Sequence, residues 1–107
     1  MRFLMTVTAS SEPDEKMMTE MGQLVEDLTK AGVLLATGGL DQAGTRVCSA
    51  DGKVTLTDGP FTEAKEAILS FALVDVRSKE EAVELSRRFW QVVKTGEGAI
   101  QQVFGPE

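Results

Sequence analysis

The most apolar segment of the chain is Ile-Leu-Ser-Phe-Ala-Leu-Val-Asp-Val, residues 68–76, and the prediction of the fold starts from it. Successive side chains of a β-strand lie on opposite faces of the sheet, and here both alternating sets are apolar. The two sets are Leu69, Phe71 and Leu73 on one face, and Ala72, Val74 and Val76 on the other. A strand that is apolar on both faces is typical of the centre of a sheet.

Further strands are predicted on both sides of this segment. Alternation of apolar and polar residues predicts strands at 2–8, 45–50, 53–58 and 99–104, with a short buried strand at 33–36. Thr37-Gly38-Gly39 is expected to interrupt that short strand, because paired glycines favour a bend or bulge. Asp51-Gly52 lies between two of the strands and is a strong hairpin signal, since both positions of the turn require positive φ.

Two amphipathic helices are predicted, one in each half of the chain. The first begins in Ser10-Ser11-Glu12-Pro13-Asp14, which offers a hydroxyl N-cap and early acids, and it ends at Gly32. The second begins at Ser78, which with Glu81 forms a capping box. The two apolar stripes comprise Met17, Met18, Met21, Leu24, Val25, Leu28 and Ala31 in the first helix, and Ala82, Leu85, Phe89, Val92 and Val93 in the second.

The resulting order, β-α-β-β-β-α-β, predicts a single α+β domain over residues 1–107, a ferredoxin-like sandwich with two helices on one face of an antiparallel sheet. The other face of the sheet is left bare, and we expect Ala72, Val74 and Val76 to lie on it. An apolar face of this kind requires a cover. A second copy of the chain is the simplest cover, so we expect a homodimer.

Composition narrows the classes of function. The 11 basic and 17 acidic residues give a net charge of −6, without a basic cluster, so nucleic acid is not an expected partner. The chain has no histidine and one cysteine, Cys48, so we expect no metal site and no cofactor. No apolar run or leader-like segment predicts membrane insertion or export, and we expect a cytoplasmic protein.

The most distinctive motif is Thr57-Asp58-Gly59-Pro60-Phe61-Thr62-Glu63-Ala64-Lys65-Glu66. It resembles the signature of the YCII-related, or DGPF-domain, family, and the similarity extends to the first strand, 31–35, 78–82 and 102–104. The resemblance implies a dimeric α/β barrel, in which two ferredoxin-like sheets enclose a shared interior. Most members of the family have no assigned activity, and some are encoded beside, or fused to, alternative sigma factors.

The chain departs from the family pattern at several polar positions. Relatives that resemble dehalogenating or isomerising enzymes pair a histidine with an aspartate as an acid-base dyad, which a chain without histidine cannot form. Gly38 replaces a common acid, Gln101 replaces a common arginine, and Ser70 occupies a usual glycine position. The polar groups that line a pocket in relatives are therefore reduced here.

Most of the candidate site residues lie in the motif, and Trp90 and Glu97 lie beyond it. Asp58, Lys65 and Glu97 are the candidate catalytic residues, with Asp58 or Glu97 as general base and Lys65 stabilising a developing oxyanion. The structural alternative makes Asp58 a cap of the Gly59-Pro60 turn. The candidate ligand-binding residues are Pro60, Phe61, Glu63, Glu66 and Trp90.

Two functional hypotheses remain open from the sequence. The first is a non-enzymatic dimeric module that binds a small ligand or a protein partner, linked by the resemblance to sigma-factor or stress signalling. The second is a cofactor-independent enzyme, of isomerase, lyase or dehalogenase type, that acts on a small carbonyl compound or aromatic acid. A carboxylate in a closed pocket would favour the enzyme, and a filled interior would favour the module.

Overall fold

The computed structural model describes residues 1–59 and 67–105, which form six strands and two helices. In chain order these are β1 (Arg2–Ser10), α1 (Glu15–Lys30), β2 (Leu34–Gly39), β3 (Thr45–Ala50), β4 (Lys53–Asp58), β5 (Ser70–Asp75), α2 (Lys79–Val93) and β6 (Gly96–Val103). The order of elements agrees with the sequence prediction. The fold is α+β, with an open antiparallel sheet that is compatible with a ferredoxin-like arrangement.

The main sheet has the strand order β2-β5-β1-β6, and all of its pairs are antiparallel. β5 and β1 occupy the two interior positions, which confirms the prediction that the apolar stretch within 68–76 is central. β2 continues through Thr37 and the two glycines to Gly39, so the predicted interruption there was wrong. The irregularity instead lies between Leu34 and Ala36, where the register with β5 shifts.

The helix starts depend on side-chain caps. Ser78 is the N-cap of α2 and its Oγ accepts a hydrogen bond from the Glu81 N–H at 3.2 Å, as predicted. Glu81 Oε2 in turn accepts from the Arg77 N–H at 3.1 Å. The predicted serine cap of α1 was wrong, because Asp14 is the cap and Ser11 Oγ donates to the Val93 carbonyl at 3.0 Å.

The core lies between the helices and one face of the sheet. Phe3, Val74, Val76 and Ala82 form its buried centre, with Val74 only 1% exposed. The expectation that Val74 and Val76 lie on the bare face was therefore wrong. Strand alternation separates two apolar sets but does not say which set the helices cover, and the short link from β5 to α2 places Ala82 against the set that contains Val74.

The opposite side of the sheet, here called the open face, is made by the other alternating set. Leu4 lies directly opposite Leu73, and Thr6 lies opposite Phe71. The leucines and Phe71 are only half-buried, whereas the Val74 set is covered by helices. The bare apolar face inferred from the sequence thus exists, but Leu4, Phe71 and Leu73 form it.

β3 and β4 form a separate two-stranded sheet, the hairpin. Asp51 and Gly52 at its turn have φ of 51° and 80°, which confirms the predicted turn with two positive φ angles. Every residue of both strands is exposed. At the base of the hairpin, the Gly59 N–H donates to the Gly44 carbonyl at 2.7 Å.

Within the part of the chain that the structure describes, neither helix combines the length and the apolar character needed to cross a membrane.

Candidate functional site

A cavity of about 90 Å³ lies between the two helices and the covered face of the sheet. α1 contributes Leu24 and Leu28 to its wall, α2 contributes Leu85, Phe89 and Trp90, and the strands contribute Met5, Val7, Ala72 and Val74 among others. Among the described residues that line it, none carries a formal charge. A pocket with such walls is suited to a neutral, apolar molecule, because a charged group entering it would lose its hydration without gaining a partner.

Trp90 lies where α2 crosses β6. Its ring meets Phe89 edge to face, with ring centroids 5.0 Å apart and an interplanar angle of 86°. The indole can approach the strand because Gly96 and Gly98 have no side chains. A Cβ added at Gly98 would lie 3.3 Å from Trp90 Cζ2 and would collide with the Thr6 carbonyl oxygen. The predicted ligand-binding residue Trp90 is therefore part of the cavity wall.

Hydroxyl groups are the polar features of this cavity. Thr37 Oγ1 already donates to the Phe71 carbonyl at 2.9 Å. Ser70 and Ser86 also line the wall, and their hydroxyls have no hydrogen bond to another described residue. Two hydroxyls in an apolar wall allow a ligand one or two hydrogen bonds, which would orient it.

Glu97 lies between Gly96 and Gly98 on β6. Both neighbours approach Trp90, so the alternation of the strand directs Glu97 to the other side of the sheet. Its side chain is exposed, and its backbone carbonyl accepts a hydrogen bond from Thr8 Oγ1 at 3.4 Å. Glu97 does not line the cavity.

Asp58 ends β4 and lies directly opposite Thr45 on β3. Its Oδ1 accepts a hydrogen bond from Thr45 Oγ1 at 2.8 Å, and both residues are exposed. This contact gives Asp58 a structural role at the base of the hairpin. The cap predicted for the Gly59-Pro60 turn needs N–H groups beyond Pro60, which lie outside the described residues.

The remaining predicted site residues, Pro60, Phe61, Glu63, Lys65 and Glu66, also lie outside the described residues. Asp58 and Glu97 are on separate sheets, and neither lines the cavity. The catalytic set of Asp58, Glu97 and Lys65 stays a prediction, and so does the enzyme hypothesis that depends on it.

Metal-binding side chains are dispersed in residues 1–59 and 67–105. No group of three or more carboxylate or thiol side chains in these ranges is arranged to hold an ion. Cys48 is exposed on the hairpin. The expectation of a protein without metal or cofactor stays a prediction, which elemental analysis of the purified protein would test.

Sequence reasoning did not identify most of the cavity wall. Ser70 and Ser86 are each preceded or followed by apolar residues, and Ser70 was noticed only as a departure from the family pattern. A serine beside apolar residues is the available signal, because a half-buried hydroxyl without a protein partner can bond to a ligand. Helix periodicity found the wall residues on α1, and Leu85 and Phe89 on α2, but described them as core.

Comparison with known proteins agrees with this architecture. A family model described as the YCII-related domain matches residues 1–104. An uncharacterized protein of Rhizobium meliloti (strain 1021) is 32% identical to this chain over 80 residues, which are 73% of this chain. The match spans 64% of that relative's length, slightly less than two thirds. The chain belongs to the YCII-related domain family.

Proposed function

We propose that this protein is a homodimeric binding module that takes a small, neutral, largely apolar ligand in the cavity between its helices and its sheet. The observation that carries the proposal is that the described residues of the wall are uncharged, with Trp90 at one side and the hydroxyls of Ser70 and Ser86 within it. Such a wall supports binding more than acid-base chemistry, because the carboxylates considered as bases lie elsewhere.

The size of the cavity limits the ligand. Its volume of about 90 Å³ is smaller than the roughly 150 Å³ of an engineered apolar cavity that binds benzene. A single ring with one hydroxyl is larger than benzene and therefore exceeds what the cavity accepts as it stands, so its binding requires the wall to move outward. Ser70 or Ser86 would supply the hydrogen bond to that hydroxyl.

The homodimer is supported by the open face. Leu4, Phe71 and Leu73 are half-buried in the isolated chain, although they lie near the middle of the sheet. Packing a second open face against them would remove this apolar surface from water and produce the two-sheet barrel that the family resemblance implies. Light scattering at micromolar concentration is expected to report a dimer, and a monomer would contradict this part of the proposal.

Location and pathway belong to the same proposal. An exposed, unpaired cysteine such as Cys48 is compatible with a reducing compartment, which supports a cytoplasmic location. Membership of the YCII-related family supports a connection with sigma-factor or stress signalling, in which binding of a small molecule would be the input.

The binding proposal is tested with phenol as the neutral probe and benzoate as its charged counterpart. Trp90 is the only tryptophan of the chain, so its fluorescence reports the cavity directly. We expect phenol to change the Trp90 emission in a saturable way and benzoate to have no effect, because burying its carboxylate unpaired is costly. Calorimetry on the same samples gives the dissociation constant.

Two alanine-to-leucine substitutions, one in the cavity wall and one on the surface, provide the control. Ala72→Leu fills part of the cavity and is expected to weaken phenol binding by about tenfold or more, whereas Ala31→Leu enlarges an exposed residue and should leave it unchanged. If Ala72→Leu does not fold, Ser86→Val changes the wall with a smaller increase in volume. Equal losses in Ala72→Leu and Ala31→Leu, or a saturable response to benzoate as strong as that to phenol, would refute the proposed site.

A further inference from the structure

We propose that the hairpin is a dimerisation arm, which packs its apolar face against a second copy of the chain. The inference rests on the homodimer proposed above, but it concerns a surface that lies outside the main sheet. It assigns a role to the one element of the described structure that has no helix or second sheet against either face.

The hairpin has one apolar and one polar face. Val47 lies directly opposite Leu56. Val54 is two residues before Leu56 on β4, so its side chain lies on the same face. Val47 is 62% exposed, Leu56 is 64% exposed and Val54 is 57% exposed. Cys48 and Thr55 form a pair on the other face. An exposed patch of this kind, bordered by polar groups, is typical of a protein interface.

The base of the hairpin is fixed to the body of the protein. The Leu40 N–H donates to the Leu69 carbonyl at 2.8 Å, and Gln42 Nε2 donates to the Ile68 carbonyl at 3.4 Å. The hydrogen bond from Gly59 to Gly44 closes the other side of the base. The first two contacts tie the segment that leads into the hairpin to the residues just before β5, and the third holds the ends of the hairpin together. The apolar face of the hairpin therefore lies beside the main sheet and remains exposed.

The hairpin also extends the molecule. The radius of gyration is 15.8 Å, whereas a compact chain of this length is expected to have about 13 Å. An isolated two-stranded hairpin is only marginally stable in water. A projecting hairpin with apolar side chains therefore gains from a surface on which they can be buried.

The area that a stable dimer needs indicates a second copy as the partner. Strand spacing and rise give the four-stranded open face a footprint of about 400 Å², so two copies packed on these faces alone bury about 800 Å². Specific interfaces bury about 1,200 to 2,000 Å² in total. Two arms, each with a footprint of about 200 Å² on the other copy, raise the total to about 1,600 Å².

Charge argues against an anionic partner. The chain carries a net charge of −6, and the hairpin combines Arg46 and Lys53 with Asp51 and Asp58. An anionic surface such as nucleic acid or an acidic membrane would be repelled or would gain little. A two-fold dimer needs no further component, because each copy supplies both an arm and a surface for the arm of the other copy.

Two lysine variants on the same strand test the arm. Leu56→Lys places a charge on the apolar face and is expected to raise the dimer dissociation constant by about tenfold or more. Sedimentation velocity should then show the variant dissociating at concentrations at which the wild type is still dimeric. Thr55→Lys adds the same charge to the polar face and should change that constant by no more than about twofold. The Thr55 variant thus controls for the general effect of an added lysine.

Hydrogen exchange gives a second measurement that needs no variant. The backbone amides of β3 and β4 in the wild type are expected to exchange more slowly above the dimer dissociation constant than below it. A wild type that is monomeric at every concentration would refute the homodimer and the arm together. A dimer in which Leu56→Lys and Thr55→Lys behave alike, and in which hairpin exchange does not depend on concentration, would refute the arm alone.

Discussion

The main sheet and the hairpin are built from the same kind of strand but differ in what covers them. Both are antiparallel, and both place apolar residues on alternate positions. Val74 in the main sheet is 1% exposed, whereas Val54 in the hairpin is 57% exposed. The difference shows that alternation creates an apolar face but does not bury it, because burial depends on whether another layer of the molecule reaches that face.

The largest effect is expected at Gly98, where β6 packs against both the Thr6 carbonyl and the Trp90 ring. Gly98→Ala adds a methyl group against the Thr6 carbonyl and the Trp90 ring, and backbone cannot move aside as a flexible side chain can. We expect a loss in the free energy of unfolding of about 3 kcal/mol or more, measured by urea denaturation. Gly44→Ala is the control, because a Cβ at that glycine meets no described atom within 4 Å. Equal losses in the two variants would contradict the close packing at Trp90.

A matched pair of valines measures the contrast between the two regions directly. Val74→Ala removes two buried methyl groups and should lower the free energy of unfolding by about 2 to 3 kcal/mol. Val54→Ala removes the same groups from an exposed position and should change it by about 0.5 kcal/mol or less in dilute, monomeric protein. Denaturation curves of both variants at low concentration provide the comparison. A cost at Val54 as large as that at Val74 under these conditions would mean that the hairpin is already covered within one chain.

The smallest effect is expected at the base of the hairpin. Asp58→Ala removes the acceptor of the Thr45 hydroxyl and should destabilise the protein by about 0.2 to 1 kcal/mol, as exposed cross-strand pairs do. Asp58→Asn should cost less, because the amide oxygen still accepts a hydrogen bond.

The Thr45→Val background isolates that contact. In a double-mutant cycle, the effect of Asp58→Ala should shrink when the Thr45 hydroxyl is absent. Thermal melting of the four proteins measures it. An Asp58 variant that melts higher than the wild type would contradict the structural role and would return this carboxylate to the head of the catalytic candidates.

Much of the fold was predictable because several local signals agreed. The hairpin at 45–50 and 53–58 was predicted to the residue, since Asp51-Gly52 fixes the turn and the turn fixes the register. The start of α2 was predicted from the Ser78 cap. These features depend on neighbours in the sequence and need no knowledge of the tertiary structure.

The features that were missed depend on contacts between distant residues. Met18 has the helical spacing of a core residue yet is 66% exposed, because no layer formed by residues 1–59 or 67–105 extends over the start of α1 at that position. The two alternating sets of β5 side chains are similarly apolar, so the sequence does not show which set is buried. The position of α2 determines that the set with Val74 is buried. The cavity was also beyond sequence reasoning, since its volume is what remains after residues of six elements have packed.

The strand order has a consequence for how the protein is made. β1 is paired with β5 and β6, and Arg2 lies opposite Val103, so among the six described strands the earliest in the sequence pairs with the latest. At about 5 to 20 residues per second, a ribosome needs roughly 5 to 20 seconds to synthesise the chain between them. The hairpin can form within microseconds of its own emergence. During synthesis we therefore expect the exposed hairpin to form before the main sheet is complete. The interior strand β1 completes its pairing last, because it must wait for β6.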